Sequence, residues 1–169
     1  VTLSVQQIFR GFAMLLANGA PIRIRNQDFI KIGTTYLGPV ALPVIYMFVI
    51  MLLCYLVLNK SQFGRHLYAI GGNKTAARFA GIQTDRNEVV VYALSGFLAG
   101  LAGIVLSARM TAGVPATGEG YECDAIAAVV LGGASFTGGI GTIGGTLIGA
   151  IIIGVLNNGP NMLNVASFW

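Results

Sequence analysis

Charged side chains are scarce in this sequence. Lys, Arg, Asp and Glu make up 9% of the 169 residues, against about 25% in soluble domains, whereas hydrophobic residues make up 55% and the mean hydropathy is +0.76. So few charges cannot cover a water-facing surface, which excludes a soluble enzyme and a disordered tail. The ten Lys and Arg residues outnumber the six Asp and Glu. They are scattered and form no basic run, which excludes a nucleic-acid-binding face.

Residues that build catalytic, metal or redox sites are also nearly absent. The sequence has one histidine, His66, and two cysteines, Cys54 and Cys123, which is too few for a catalytic triad, a metal site or a disulfide framework. Gly139–Gly144 matches the G-x-G-x-x-G pattern, but no acidic residue follows it and no strand pattern precedes it. No P-loop pattern occurs either. We therefore expect no catalysis, no metal and no cofactor in this chain.

Glycine, in contrast, is abundant. Its 24 residues are about twice the usual share of ~7%, and a glycine-rich, charge-poor composition is typical of closely packed membrane helices. Four-residue spacing places Gly96 with Gly100 on one helix face, and Gly141, Gly145 and Gly149 on another. Both stripes predict close approach of a second helix.

Two uncharged runs, Leu42–Leu58 and Val89–Ala108, have the length of a membrane-spanning helix, about 17–25 residues. Thr2–Asn18 predicts a weaker helix that contains Arg10. That arginine lies either within the membrane, as a functional or paired group, or near an interface. Gly19–Pro43 is rich in glycine and proline and is predicted to be a loop.

The run Ala125–Trp169 contains no charged residue and is too long for one span. Its glycines predict a short, half-membrane helix over Asp124–Leu131, a turn, and a second helix over Thr142–Leu156. A broken helix is tolerated at membrane depth only where protein or a water-filled path covers the freed backbone groups. The break therefore indicates either a transport path or a simple tight hairpin between two short spans.

The distribution of basic residues predicts the orientation. Segment Asn59–Glu88 holds five Lys and Arg residues, Gly19–Pro43 holds three and Arg109–Asp124 holds one. Because cytoplasmic loops carry the excess of basic residues, we place Asn59–Glu88 in the cytoplasm and the other two segments outside.

The cytoplasmic segment contains a short predicted helix. Asn73 is a good N-cap for Lys74–Ala80, and Gly81 is a good stop just after it. Small side chains give this helix a flat side: Ala76, Ala77 and Ala80. A short rigid helix of this kind either docks on a partner protein or is a mere connector.

Several motifs in this order resemble one family. They are Tyr68–Asn73 with Ala76-Ala77 and Gly81-Ile82, Ser95-Gly96 with Ala102–Ile104, Asp124–Gly133, Gly138-Gly139, Gly141, Gly144–Thr146, Gly149-Ala150 and Asn157–Gly159. The chain resembles the permease subunit of bacterial sugar-importing ABC transporters of the ribose, galactose and xylose group, with the ribose permeases nearest. Members are longer than this chain, which resembles their C-terminal half.

The resemblance implies an all-α, polytopic transmembrane bundle of the type II-like importer class, with residues 1–169 in one permease domain of the bacterial inner membrane. It implies a lipid bilayer as surroundings, a second permease copy, a cytoplasmic ATP-binding subunit, a periplasmic sugar-binding protein and a sugar substrate. The resemblance further implies that residues 73–81 form the coupling helix, which docks on the ATP-binding subunit. The ATPase-coupling residues carried over by motif are Gly71, Gly72, Asn73, Ala76, Ala77, Arg78, Gly81 and Ile82.

Further polar residues have two interpretations each. Ser135, Thr137, Asn157 and Asn158 either line the sugar path or make helix-to-helix hydrogen bonds. Glu119, Glu122 and Asp124 either meet the binding protein or belong to a solvated loop.

A permease for branched-chain amino acids shares the architecture, but Gly71–Asn73 and Asp124–Gly133 are of the sugar type. A secondary transporter or channel is disfavoured, because such carriers usually place acidic groups in their spans and the spans here have none. Pro160 and Cys123 depart from the family pattern and leave the sugar open.

Overall fold

The computed structural model describes residues 2–162, so the end of the predicted uncharged run, residues 163–169, lies outside the described part. The described chain divides into two units, residues 2–50 with 92–119 and residues 51–91 with 120–162. The helices are α1 (Thr2–Leu16), α2 (Gln27–Thr34), α3 (Leu42–Lys60), α4 (Gln62–Gly72), α5 (Lys74–Phe79), α6 (Thr84–Met110), α7 (Tyr121–Leu131) and α8 (Ile143–Met162), and the strands are β1 (Ile22–Arg23), β2 (Tyr36–Leu37), β3 (Val40–Ala41) and β4 (Ala112–Gly113). The predicted all-α class is confirmed, since the strands are only local two-residue pairings.

Both predicted spans are confirmed as long apolar helices. Helix α3 has 19 residues and α6 has 27, which correspond to about 29 and 40 Å at 1.5 Å per residue. By length and composition each is able to cross a membrane, and no residue of their apolar windows is buried within the chain. Helix α6 begins five residues before the predicted Val89, because Asp85 in the first turn suits the positive end of the helix dipole. The hydropathy of the sequence predicted only the apolar part of α6.

The first unit corrects the prediction for Gly19–Pro43, which is not simply a loop. It contains α2, whose first turn is capped by the Asn26 side chain accepting hydrogen bonds from the backbone N–H groups of Asp28 and Phe29 at 3.0 and 3.4 Å. It also contains the β2–β3 hairpin and strand β1, which pairs with β4. That pairing joins the segment to residues 112–113, so the two segments predicted to lie outside are held together.

The second unit corrects the prediction for Asn59–Glu88, where helix α4 was missed. Its N-cap is Ser61, whose hydroxyl accepts from the Gly64 N–H at 3.2 Å. Asn73 both ends α4 and caps α5. Only one short connection, residues 80–83, then separates α5 from α6. The segment is therefore almost continuously helical.

Helices α7 and α8 form the predicted broken hairpin. Helix α7 has 11 residues, about 16 Å, roughly half the ~30 Å hydrocarbon thickness. It starts three residues before the predicted Asp124, and α8 continues six residues past the predicted Leu156. A Cβ on Gly149 would overlap the carbonyl of Ala128, so the Gly145/Gly149 stripe packs directly on α7 as predicted. The Gly96/Gly100 stripe meets no described atom within 4 Å, and its helix partner stays a prediction.

Candidate functional site

The short helix predicted after Asn73 exists as α5, with both of its predicted caps; its cytoplasmic location stays a prediction. The Asn73 side chain accepts a hydrogen bond from the Ala76 N–H at 3.0 Å. At the other end Gly81 has φ +83°, its N–H donates to Arg78 O, and the Ile82 N–H donates to Ala77 O, both at 3.1 Å. This pair of bonds is a Schellman cap, which requires the left-handed conformation that glycine adopts at no steric cost.

Two ion pairs fix α5 on the start of α6. Lys74 Nζ contacts Glu88 Oε1, and Arg78 Nη2 lies 2.7 Å from Asp85 Oδ2 and 2.9 Å from its Oδ1. Exposed pairs of this kind contribute only about 0.2–1 kcal/mol each. The two pairs link both ends of α5 to the first two turns of α6.

The exposed face of α5 differs from the predicted one. The Ala77 side chain is 5% exposed and faces the chain's own interior, so the predicted flat side of three alanines is wrong. Ala76 and Ala80 are exposed, and Ile82 is half-buried. Two positions beyond Ala77, about 200° around the helix, Phe79 is 89% exposed. Composition alone could not assign these faces, because six residues give no reliable periodicity.

The end of α4 lies against the glycine-rich turn of the α7/α8 hairpin. A Cβ on Gly71 would overlap the backbone N of Gly139, and one on Gly138 would lie 2.8 Å from Gly71 O. The Tyr68 hydroxyl donates a hydrogen bond to Gly141 O at 2.6 Å. Backbone therefore touches backbone here, and the predicted coupling element is joined directly to the break in the helix.

The four polar residues predicted for the path form two separate groups. The hydroxyls of Ser135 and Thr137 lie 2.7 Å apart within the glycine turn. At the far end of α8, Asn157 Nδ2 donates to Asp124 Oδ2 at 3.0 Å and Asn158 Nδ2 donates to Gly154 O at 2.9 Å. The helical rise from Ile143 to Asn157 is about 21 Å, so one small sugar cannot touch both groups at once.

The acidic residues predicted to meet a binding protein have partners within the chain. Glu119 Oε2 lies 3.1 Å from Arg10 Nη2, and the same nitrogen donates to Ala116 O at 3.4 Å. The Arg10 side chain is only 16% exposed, so the structure favours the paired group over a free interfacial arginine. Asp124 accepts from Asn157, while Glu122 is exposed in the first turn of α7.

An open groove of about 520 Å³ borders the connection between α5 and α6. Its lining includes the apolar side chains of Phe63, Ile82 and Val90, and the basic groups of His66 and Arg86. His66 was predicted to be a surface residue and is half-buried here. Arg86 forms no ion pair with any residue in the described range 2–162. The groove therefore combines an apolar wall with a free positive charge.

Comparison with known proteins gives a family and a set of relatives. The family model described as branched-chain amino acid transport system / permease component matches residues 1–169. The ribose import permease protein of Bacillus subtilis (strain 168) is 46% identical over 170 residues, 99% of this chain and 53% of that protein. The L-arabinose transport system permease protein of Escherichia coli (strain K12) is 40% identical over 167 residues, 99% and 51%.

A third relative is the xylose transport system permease protein of Haemophilus influenzae, 44% identical over 144 residues, 83% of this chain and 38% of that protein. No solved structure matches the chain. The chain spans about half the length of the curated relatives that it matches.

Proposed function

The chain belongs to the family of permease components of the branched-chain amino acid transport system type, and on that premise we propose that it forms part of the membrane permease subunit of an ATP-driven bacterial sugar importer. Relatives 40–46% identical carry names of ribose, arabinose and xylose permeases, which supports a monosaccharide as substrate. Helices α3 and α6 are able to cross a membrane, which supports a multi-pass protein of the inner membrane.

The proposed partners follow from the division of labour in such importers. In this proposal a separate cytoplasmic subunit binds and hydrolyses ATP, in keeping with the names of the relatives as permease proteins of import and transport systems. A periplasmic binding protein delivers the sugar, and a second permease copy completes the path. The residues proposed to meet the binding protein remain Glu119, Glu122 and Asp124.

In this proposal α5 and the residues that flank it, Gly71 to Ile82, form the coupling element. Caps at both ends and two ion pairs to α6 support a rigid element, which is able to transmit a displacement without bending. A mere connector between two long helices needs none of these devices.

One observation carries the mechanism: the end of α4 touches the turn of the broken hairpin. Because Gly71 and Gly138 meet backbone to backbone, a push on the coupling element reaches the turn with no soft side chain between them. The bond from Tyr68 to Gly141 resists separation of the same two segments. Movement of the ATP-binding subunit would therefore shift the end of α7 and the start of α8.

The sugar path is proposed to follow this hairpin. Ser135 and Thr137 offer hydroxyls at the turn, and Asn157 and Asn158 offer amides at the far end of α8. Because the two groups are far apart, they would bind the sugar in succession and not together. Weak polar contacts at each stage let the sugar leave.

The test is ATP-driven uptake into vesicles that hold the complete permease, its ATP-binding subunit and its binding protein. Labelled ribose, arabinose and xylose are compared with leucine, because the family description names branched-chain amino acids. We expect uptake of at least one pentose that requires both ATP and binding protein, and no uptake of leucine. Uptake of leucine alone, or uptake driven by an ion gradient without ATP, would reject the proposal.

A further inference from the structure

Arg10 is the one charged residue of helix α1. Its neighbours Phe9 and Phe12 are exposed, at 70% and 59%, whereas the Arg10 side chain is only 16% exposed. A charged group in an apolar helix is costly to leave without a partner and is by default a candidate for a functional role. The partners of Arg10 therefore indicate what this residue does.

Arg10 contacts two points of residues 114–120, the segment that precedes α7. Its Nη2 lies 3.1 Å from Glu119 Oε2 and donates a hydrogen bond to Ala116 O at 3.4 Å. The Glu119 side chain is 70% exposed, so water can hydrate its carboxylate with little rearrangement while Arg10 keeps its bond to Ala116. The ion pair is therefore able to open on the Glu119 side without leaving the shielded arginine without a partner, which would be costly.

The chain around Glu119 is held in a different way from the chain before it. Residues 112–113 pair with β1 through the backbone, and that pairing does not depend on charge. Glu119 lies between Gly118 and Gly120, which have φ +90° and +85° and on which a Cβ would meet nothing within 4 Å. These glycines serve the backbone conformation and not close packing, and glycine adopts either sign of φ at little cost. The backbone beside Glu119 is therefore able to rotate once the ion pair opens.

Glu119 is also the last residue before the chain enters its second unit. The chain passes between the units at residues 50–51 within α3, at 91–92 within α6 and at 119–120. The first two passages are helical, and the third is the loop with the two glycines. Helix α7 begins directly after it, and its N-cap, Gly120, receives no side-chain capping bond. The ion pair of Arg10 therefore acts at the point where α7 is attached to the preceding chain.

We propose that Arg10 is a positioning residue and that its ion pair with Glu119 is a latch, which holds the start of α7 in the resting permease and opens on the Glu119 side when the α7/α8 hairpin moves. The inference rests on the proposed function, in which the sugar path follows that hairpin. Because the turn of the hairpin touches the end of α4 at Gly71, release of α7 would also reach the coupling element. An open latch should therefore loosen the control of ATP hydrolysis.

The experiment measures ATP hydrolysis by the complete permease with its ATP-binding subunit in lipid nanodiscs, in the absence of binding protein. We expect Glu119→Arg and Arg10→Glu, which each place like charges together, to raise this hydrolysis at least threefold. The exchanged pair Arg10→Glu/Glu119→Arg should return it to within twofold of wild type, because an ion pair of opposite polarity forms. Since the assay contains no binding protein, a contact of Glu119 with that protein does not affect the result.

Asp28→Asn is the matched control. Asp28 Oδ1 lies 2.8 Å from Lys31 Nζ, and both side chains are exposed, so this variant breaks an ion pair of the first unit that stays within one helix. Its hydrolysis should equal that of wild type. Glu119→Arg decides the test if Arg10→Glu fails to fold, because the Glu119 side chain is exposed. A rise of less than threefold in Glu119→Arg, or an exchanged pair as active as Glu119→Arg, would overturn the latch.

A reversible cross-link tests whether closure alone restrains hydrolysis. In a permease without other cysteines, Arg10→Cys/Glu119→Cys is bridged by a short bis-methanethiosulfonate, and the bridge is later cleaved with dithiothreitol. We expect hydrolysis without binding protein to fall at least threefold on bridging and to rise again after cleavage, and an unchanged rate would contradict the proposal. If the unaltered permease takes up no sugar with all its partners, the proposed function itself fails. Normal uptake together with hydrolysis that does not respond to the latch rejects the latch alone.

Discussion

Single residues decide whether the coupling element touches the hairpin turn, and Gly71 and Gly72 provide a matched pair. A methyl group on Gly71 would overlap the backbone of Gly139, whereas one on Gly72 meets open space. We expect Gly71→Ala to lower the thermal stability of the permease, because overpacking costs about 1–3 kcal/mol, and to lower ATP-driven uptake at least tenfold. Gly72→Ala should leave the thermal stability near wild type and lower uptake less than Gly71→Ala does, because Gly72 belongs to the proposed coupling element but its added methyl group meets no atom of the hairpin turn. Equal uptake by the two variants would show that the contact transmits nothing.

The sequence was sufficient to predict the two caps of α5, because helix caps depend on local backbone chemistry. Asn73 and Gly81 were identified as caps because an amide side chain and a left-handed glycine act on neighbouring N–H groups. The faces of Ala77 and Phe79 were not predictable. Which side of a one-and-a-half-turn helix is buried depends on its tertiary neighbours, and the helix that packs against α5 is α4, which was itself unrecognised.

For whole helices, the length of an uncharged apolar run predicted the element reliably. Segments that mix polar and apolar residues were assigned less well. Helices α3, α6 and α7 were predicted to within a few residues, since uncharged runs bounded by polar or glycine residues mark their ends. Helix α4 was missed because the whole segment Asn59–Glu88 was interpreted as a polar connection between two spans. Its signals were the Ser61 cap and the apolar spacing of Phe63, Leu67 and Ile70, which is helical.

The α7/α8 hairpin provides an element-scale prediction. Gly149 is buried, and a Cβ there would lie 2.8 Å from the carbonyl carbon of Ala128, whereas Gly154 in the same helix meets nothing within 4 Å. We expect Gly149→Ala to lower the melting temperature of the permease by several degrees, because α7 must move away. Gly154→Ala should leave it unchanged or raise it slightly, since alanine favours a helix over glycine. Equal melting temperatures would mean that the hairpin does not pack in this way.

For the whole molecule, the sidedness of the membrane determines which surfaces can meet which partners. The coupling element can reach an ATP-binding subunit only if segment 59–88 lies in the cytoplasm. Its five basic residues against three and one in the other segments support that orientation. The pairing of β1 with β4 adds a constraint, because it holds segments 19–43 and 109–124 together on whichever side they lie.

Single thiols test this orientation in a permease from which all cysteines, Cys54 and Cys123 among them, have been removed by replacement with serine. Thr75→Cys, in exposed α5, should react with a membrane-impermeant maleimide only in inside-out vesicles, because a cytoplasmic thiol is shielded in intact cells. Thr117→Cys, in segment 109–124, should react only in intact spheroplasts. The reverse pattern would place α5 outside the cell, where no ATP-binding subunit could reach it, and the proposed coupling role of α5 would then be wrong. Labelling of both thiols from one side would instead contradict the crossing of the membrane by α6, which lies between them in the sequence.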